Sequence, residues 1–210
     1  MQGCRPLSPQ EARALAGSFY GRYALRNRAL VVLGIQTGYR ISELLSLRVR
    51  DVQVDGQVTR SVSVQRRSMK KQLAGRRVPL QAGTRAALGS WIRALYQLGY
   101  VAPDSYLFQS ASGGNRPISR SQAWRIIKGA VRRLGIPDPV ATHSLRKTFA
   151  NRVYEHFLER QAQGHPVDAF RLTSKALGHR AITSTDKYLS FREADLDQAI
   201  EHIWGETGTP

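Results

Sequence analysis

A mainly helical domain carrying a small antiparallel β-sheet, an α+β fold, is what this sequence predicts. Apolar residues recur at spacings of three and four along most of the chain, as at Leu88, Trp91, Ile92 and Leu95, the stripe of an amphipathic helix. Between Val52 and Leu80 the pattern changes to alternation. Val58, Val62 and Val64 lie between polar neighbours there, and Arg77-Val78-Pro79-Leu80 closes a second strand. Glycine and proline mark the ends of these segments, and no repeat or low-complexity tract interrupts them.

The first helix announces itself at Ser8-Pro9-Gln10-Glu11. Serine caps, proline suits the first helical position, and glutamate three residues on completes a capping box. A second helix over about 25–36 carries Leu30, Val31, Leu33 and Gly34 and stops at Thr37-Gly38, a turn that re-aims the chain into a short helix over about 41–47. The loop between the strands, over 66–75, is crowded with Arg66, Arg67, Lys70 and Lys71, a charge density that needs solvent or phosphate. The helix around Trp91 ends at Gly99. A loop rich in glycine, proline and serine follows to Ser119, holding a brief strand at Tyr106-Leu107-Phe108. Four helices are then expected at about 121–134, 142–158, 168–177 and 193–204, separated by Gly135-Ile136-Pro137, Gly164-His165-Pro166 and Gly178.

Lysine and arginine number 32 against 15 acidic residues, a net charge of +17. Such a surface wants a polyanion. No apolar run of about 18 residues is present and the start MQGCRPLSPQ lacks the apolar core of a signal peptide, so nucleic acid is expected in preference to membrane. Cys4 is the one cysteine, which rules out an intramolecular disulfide and a cysteine zinc cluster and fits a reducing, cytoplasmic setting. Its place in a terminal segment holds a catalytic thiol poorly.

Four separated patches draw attention. Thr37-Gly38-Tyr39-Arg40-Ile41-Ser42-Glu43 places an arginine at a turn entering a helix, where it can equally be a surface residue paired with Glu43. In Thr142-His143-Ser144-Leu145-Arg146 the spacing of three sets His143 and Arg146 on one helix face, with Leu145, Phe149 and Val153 left for the core; a solvated polar face gives the same pattern. Leu177-Gly178-His179 is a helix end closed by glycine, where a histidine also serves as a cap. Tyr188 follows in Thr185-Asp186-Lys187-Tyr188-Leu189, where packing is the plain role for a tyrosine.

Taken together, Arg40, His143-x-x-Arg146, Leu177-Gly178-His179 and Tyr188 resemble the signature of the tyrosine recombinases, or phage-type integrases, over nearly the whole chain. The resemblance implies that family's catalytic-domain fold and a site-specific DNA strand transferase. It also implies a hairpin lysine a few residues before a Val-Pro-Leu sequence, which points to Lys71 with Lys70 as its rival. By the same resemblance Tyr188 is the nucleophile, Arg40 and Arg146 clamp the phosphate, His143 is the base, Lys71 the general acid and His179 a phosphate hydrogen-bonding residue. Neither ATP nor a metal is implied.

The residue types suit that chemistry. Negative charge grows on the phosphate oxygens during attack, and a planar guanidinium fork meets two of them at once at any working pH. A phenol with a pKa near 10 needs a base or a strong positive field to attack. A flexible ammonium can protonate the departing 5′ oxygen.

One catalytic domain is expected over 1–210, with a core over about 8–190, a tail helix over about 191–206 and no N-terminal core-binding domain ahead of it. That tail docks either on its own domain or, as the resemblance implies, on a neighbouring subunit. The partners implied are double-stranded DNA and further copies of the chain, four on synapsed DNA, with accessory DNA-bending proteins as candidates and the bacterial nucleoid as the setting. Two rivals stay open: a type IB topoisomerase-like enzyme, and a DNA-binding regulator that lost the reaction.

Overall fold

Local signals and tertiary packing together produce seven helices and four short strands among the residues that the computed structural model describes, which are 4–64, 76–100, 102–178 and 185. Helix α1 (Pro9–Gly17) begins with the expected box: Glu11 N–H donates to Ser8 Oγ at 3.2 Å and Ser8 N–H to Glu11 Oε2 at 2.8 Å. Arg5 adds an ion pair to Glu11 at 2.6 Å. Helix α2 (Ala24–Thr37) turns Ala29, Leu30 and Leu33 inward and ends at Gly38, whose φ of 60° lies in the left-handed region. Its N–H donates to Gly34 O at 2.9 Å, a glycine-closed helix end. After Tyr39 and Arg40 comes α3 (Ile41–Leu45), two residues shorter than expected, and then a 3-10 turn over Val49–Asp51.

The single sheet expected from the alternation is two hairpins instead. Strands β1 (Gln53–Val54) and β2 (Gln57–Val58) pair across Asp55-Gly56, while β3 (Ser61–Val64) and β4 (Arg76–Pro79) pair with Val62 opposite Val78. The break follows from local chemistry. Asp55 at φ 48° and Gly56 at φ 75° form the tight turn that an Asp-Gly step favours. The loop over 66–75 lies outside the described residues apart from its neighbouring strands.

Helix α4 (Ala82–Gln97) buries the predicted stripe of Leu88, Trp91, Ile92 and Leu95 against α2 and the hairpins. The Trp91 indole N–H donates to Leu107 O at 2.6 Å. Tyr106-Leu107-Phe108 is held by isolated bridges, Arg48 to Tyr106 and Gln109 to Pro117, and forms no strand of its own. Gly113 and Gly114, both at positive φ, turn the chain too soon for a longer ladder. Helix α5 (Arg120–Arg133) starts from a second capping box at Ser119 and Gln122.

Helix α6 (Thr142–Ala162) runs four residues past the predicted end, because Glu159, Arg160, Gln161 and Ala162 favour helix after the apolar stripe has stopped. Helix α7 (Ala169–Leu177) is capped by Asp168, which accepts from Arg171 N–H at 2.8 Å, and closed by Gly178 at φ 66°. The expected helix over 193–204 lies outside the described residues. One core gathers α2, α4, the hairpins and the loop around Phe108; a second joins α1, the other side of α2, α5 and α6 through Leu15, Val31, Ile127, Val131 and Leu145. Among the described residues no helix is long and apolar enough to cross a membrane.

Candidate active site

The turn between α2 and α3 is built to present a cation. Thr37 Oγ1 donates to Leu33 O at 2.6 Å and Gly38 reverses the chain. Tyr39 is 3% exposed, its hydroxyl 2.5 Å from Arg76 O and 3.0 Å from Val62 O. Burial pushes that phenol's pKa up, so it stays a neutral hydrogen-bond donor. With Tyr39 fixed inward, Arg40 emerges half-exposed as the residue preceding α3. Its backbone N–H donates to Glu43 Oε2 at 2.7 Å, and its guanidinium pairs with Glu43 Oε1 at 3.3 Å. The surface pairing open at the level of sequence is therefore present.

His143 and Arg146 part company. His143 is exposed in the first turn of α6. It lines an open groove of about 620 Å³ with Ile41, Arg120, Trp124 and Arg125, so the residue following Arg40 and the first turn of α6 face the same space. Trp124 is 44% exposed there, an aromatic surface between two arginines. Arg146 points the other way and is 2% exposed. Its Nη1 donates to Gly38 O and its Nη2 to Leu177 O at 3.0 Å. The solvated face that the spacing of three also allowed is not what forms, because both carbonyls lie at helix ends whose negative dipole ends attract a cation inward.

One guanidinium thus joins three of the four separated patches: Gly38 is two residues before Arg40, Arg146 lies in the His-x-x-Arg stretch, and Leu177 is two residues before His179. Arg76, which sequence reasoning passed over, forms a parallel tie. It donates to Thr37 O and, at 2.6 Å, to Ala176 O, with its guanidinium over the rings of Tyr39 at 4.6 Å and Phe149 at 5.4 Å. Its one sequence signal is its place at the start of Arg76-Arg77-Val78-Pro79-Leu80. Gly38 packs so closely on α6 that an added Cβ would lie 2.7 Å from Phe149 Cγ. Lys70, Lys71, His179 and Tyr188 lie outside the described residues; Thr185, three residues before Tyr188, is buried.

A half-exposed arginine, an exposed histidine and a basic groove with an accessible tryptophan suit a phosphate backbone with stackable bases. A larger apolar cleft, about 680 Å³, lies between α1, α2 and α6, lined by residues such as Ala16, Val32, Ile35, Val153 and Phe157.

Known proteins share the family pattern and the fold of this chain. A model of the family described as Phage integrase family matches residues 7–194. Tyrosine recombinase XerD of Mycobacterium leprae (strain TN) is 32% identical over 189 residues, covering 88% of this chain and 52% of that protein. Tyrosine recombinase XerC of Methylobacterium sp. (strain 4-46) is 32% identical over 177 residues, covering 84% and 49%. The chain spans about half the length of the relatives it matches. In fold it resembles the XerA recombinase, with a TM-score of 0.70 at 24% identity over 100% of this chain and 67% of that one. It also resembles the XerH site-specific recombinase bound to palindromic difH substrate in a post-cleavage complex, with a TM-score of 0.70 at 22% identity over 93% and 52%.

Proposed function

The chain belongs to the phage integrase family, and from that premise we propose that it breaks and rejoins double-stranded DNA at specific sites through a 3′-phosphotyrosyl intermediate and a Holliday junction. Tyr188 Oη attacks the phosphorus and gives its proton to His143. The bond from phosphorus to the 5′ oxygen breaks, and that oxygen takes a proton from Lys71. Arg40 and Arg146 offset the charge that grows on the phosphate, and His179 hydrogen-bonds it. The covalent link conserves the bond energy, so a 5′ hydroxyl from a second strand can reverse the step. Four copies act around the synapsed sites. The apolar residues Leu196, Ile200, Ile203 and Trp204 of the tail pass to a neighbouring copy.

The observation that carries this reading is the hold of Arg146 on Gly38 O and Leu177 O. It ties the ends of α2 and α7 to α6 although they are far apart in sequence, which supports a reading in which the residues that follow Gly38 and Gly178 serve one site. The +17 charge supports DNA as the polyanion.

The test begins by sequencing DNA trapped covalently on the protein, which supplies a site for a nicked suicide duplex. On that duplex Tyr188→Phe is expected to abolish the adduct and keep DNA binding. An adduct formed by the variant refutes Tyr188 as nucleophile. Relaxation of supercoiled plasmid lacking the site would show a topoisomerase, and binding without any adduct a silent regulator.

A further inference from the structure

The hairpin formed by β3 and β4 meets the helix ends through one residue. Arg76 opens β4, so its backbone directly follows the segment that carries Lys70 and Lys71. Its side chain reaches two carbonyls in the last turns of α2 and α7, Thr37 O and Ala176 O. These are the immediate predecessors of the two carbonyls taken by Arg146, Gly38 O and Leu177 O. The two guanidinium groups are successive rungs between the same two helix ends.

The rung at Arg76 is flanked by two aromatic residues. Tyr39 stacks on the guanidinium and directs its hydroxyl to Arg76 O, and Phe149 of α6 closes the other flank. Such a cation is half-buried, and among the described residues its hydrogen bonds and ring contacts go to Thr37, Tyr39, Phe149 and Ala176, none of them assigned to the reaction. Its partners do matter to the reaction: Thr37 is three residues before Arg40, and Ala176 is three before His179.

We propose that Arg76 is a positioning residue, an anchor beside that of Arg146, which holds the Arg40 turn, the chain leading into His179 and the start of β4, where the Lys70–Lys71 loop ends, in mutual register. This deepens the recombinase reading and rests on it. The planar fork reaches two carbonyls on different helices while its face lies over the Tyr39 ring, a combination that the point charge of an ammonium does not reproduce. Loss of the anchor leaves each element folded and displaces them relative to one another, and a displacement of about 1 Å costs a positioned phosphoryl-transfer site on the order of 10²-fold in rate.

The experiment uses the full chain with Arg76→Lys and Arg76→Met, and the nicked duplex described above. Adduct formation at saturating DNA is expected to slow by about 10²-fold in Arg76→Lys, while duplex affinity and melting temperature hold. Amide exchange at Tyr39, Arg40 and Gly178 is expected to rise together in both variants. Parental adduct rates in either folded variant overturn the proposal. So does a slowing that disappears well below the variant's melting point, the mark of lost fold and not of lost register. If the parent itself forms no adduct, the recombinase reading fails separately. The anchor is then decided by amide exchange alone, where unchanged protection at both turns in Arg76→Met overturns it.

Discussion

Gly38→Ala tests how tightly the Arg40 turn is built onto α6. Gly38 has φ 60°, where an L side chain costs about 1–2 kcal/mol. An added Cβ would also stand 2.7 Å from Phe149 Cγ and 3.0 Å from its Cβ. The Phe149 Cβ is fixed by the backbone of α6, so no rotamer change clears it, and α6 or the turn must shift, at about 1–3 kcal/mol of overpacking. The sum is about 2–5 kcal/mol, and a mid-range ~3 kcal/mol lowers the melting temperature of a chain this size by about 6–12 °C. Folding survives, since domains hold about 5–15 kcal/mol. Two alanine controls calibrate the effect. At Gly34 the nearest atom is the mobile end of Leu145, and at Gly17 nothing lies within 4 Å, so the loss should fall in the order Gly38, Gly34, Gly17. Calorimetry gives the melting temperatures, and the nicked duplex reads the accompanying loss of adduct as Gly38 O moves from Arg146. If Gly38→Ala melts with the parent, the close packing of turn on helix is refuted.

Arg40→Ala should slow adduct formation by about 10²–10³-fold yet melt near the parent, because a half-exposed pair with Glu43 contributes about 1 kcal/mol or less; a parental rate would reduce Arg40 to a surface residue. Arg146→Met should lose activity on the same scale and stability as well, since Gly38 O and Leu177 O each forfeit a buried donor at about 1–3 kcal/mol; melting like Arg40→Ala would contradict the tie. Glu11 answers to pH. Its hydrogen bond from Arg5 lowers the carboxyl from 4.5 to about 2, so its contribution is complete above the unfolded value and lost as pH falls through the folded one. Melting temperatures of the parent and Glu11→Gln should differ at neutral pH and converge as pH drops from 4.5 toward 2; a constant gap would exclude the pair as the cause.

What the sequence disclosed was local, and what it withheld depended on contacts between distant segments. The box at Ser8 and the stripe through Trp91 are encoded within a few residues and form as read. The Asp55-Gly56 hairpin was equally local; the even alternation of valines around it disguised the break as one sheet. Resemblance pointed to positions 40, 143 and 146, but not to their exposures. Periodicity makes Arg146 a neighbour of His143, and only the convergence of two helix ends explains why it turns inward. Arg76 gave no periodic signal at all, since its partners lie 39 and 100 residues away.

That convergence also bears on charge. Arg48 and Arg50 sit on Asp104, and Lys128 on Asp138, pairs in which a carboxylate cancels the cation. Arg76 and Arg146 are held by backbone carbonyls, which supply hydrogen-bond acceptors and a helix-end dipole without a full negative charge. These holds bring two cations to the ends of α2 and α7 beside the turn that leads to Arg40, with Glu43 as an acid that acts on Arg76 through space. A scaffold that fixed those arginines with aspartate or glutamate would be as rigid and would present a far weaker positive potential to a phosphate. Holding cations with neutral oxygens reconciles a precisely built turn with attraction for a polyanion.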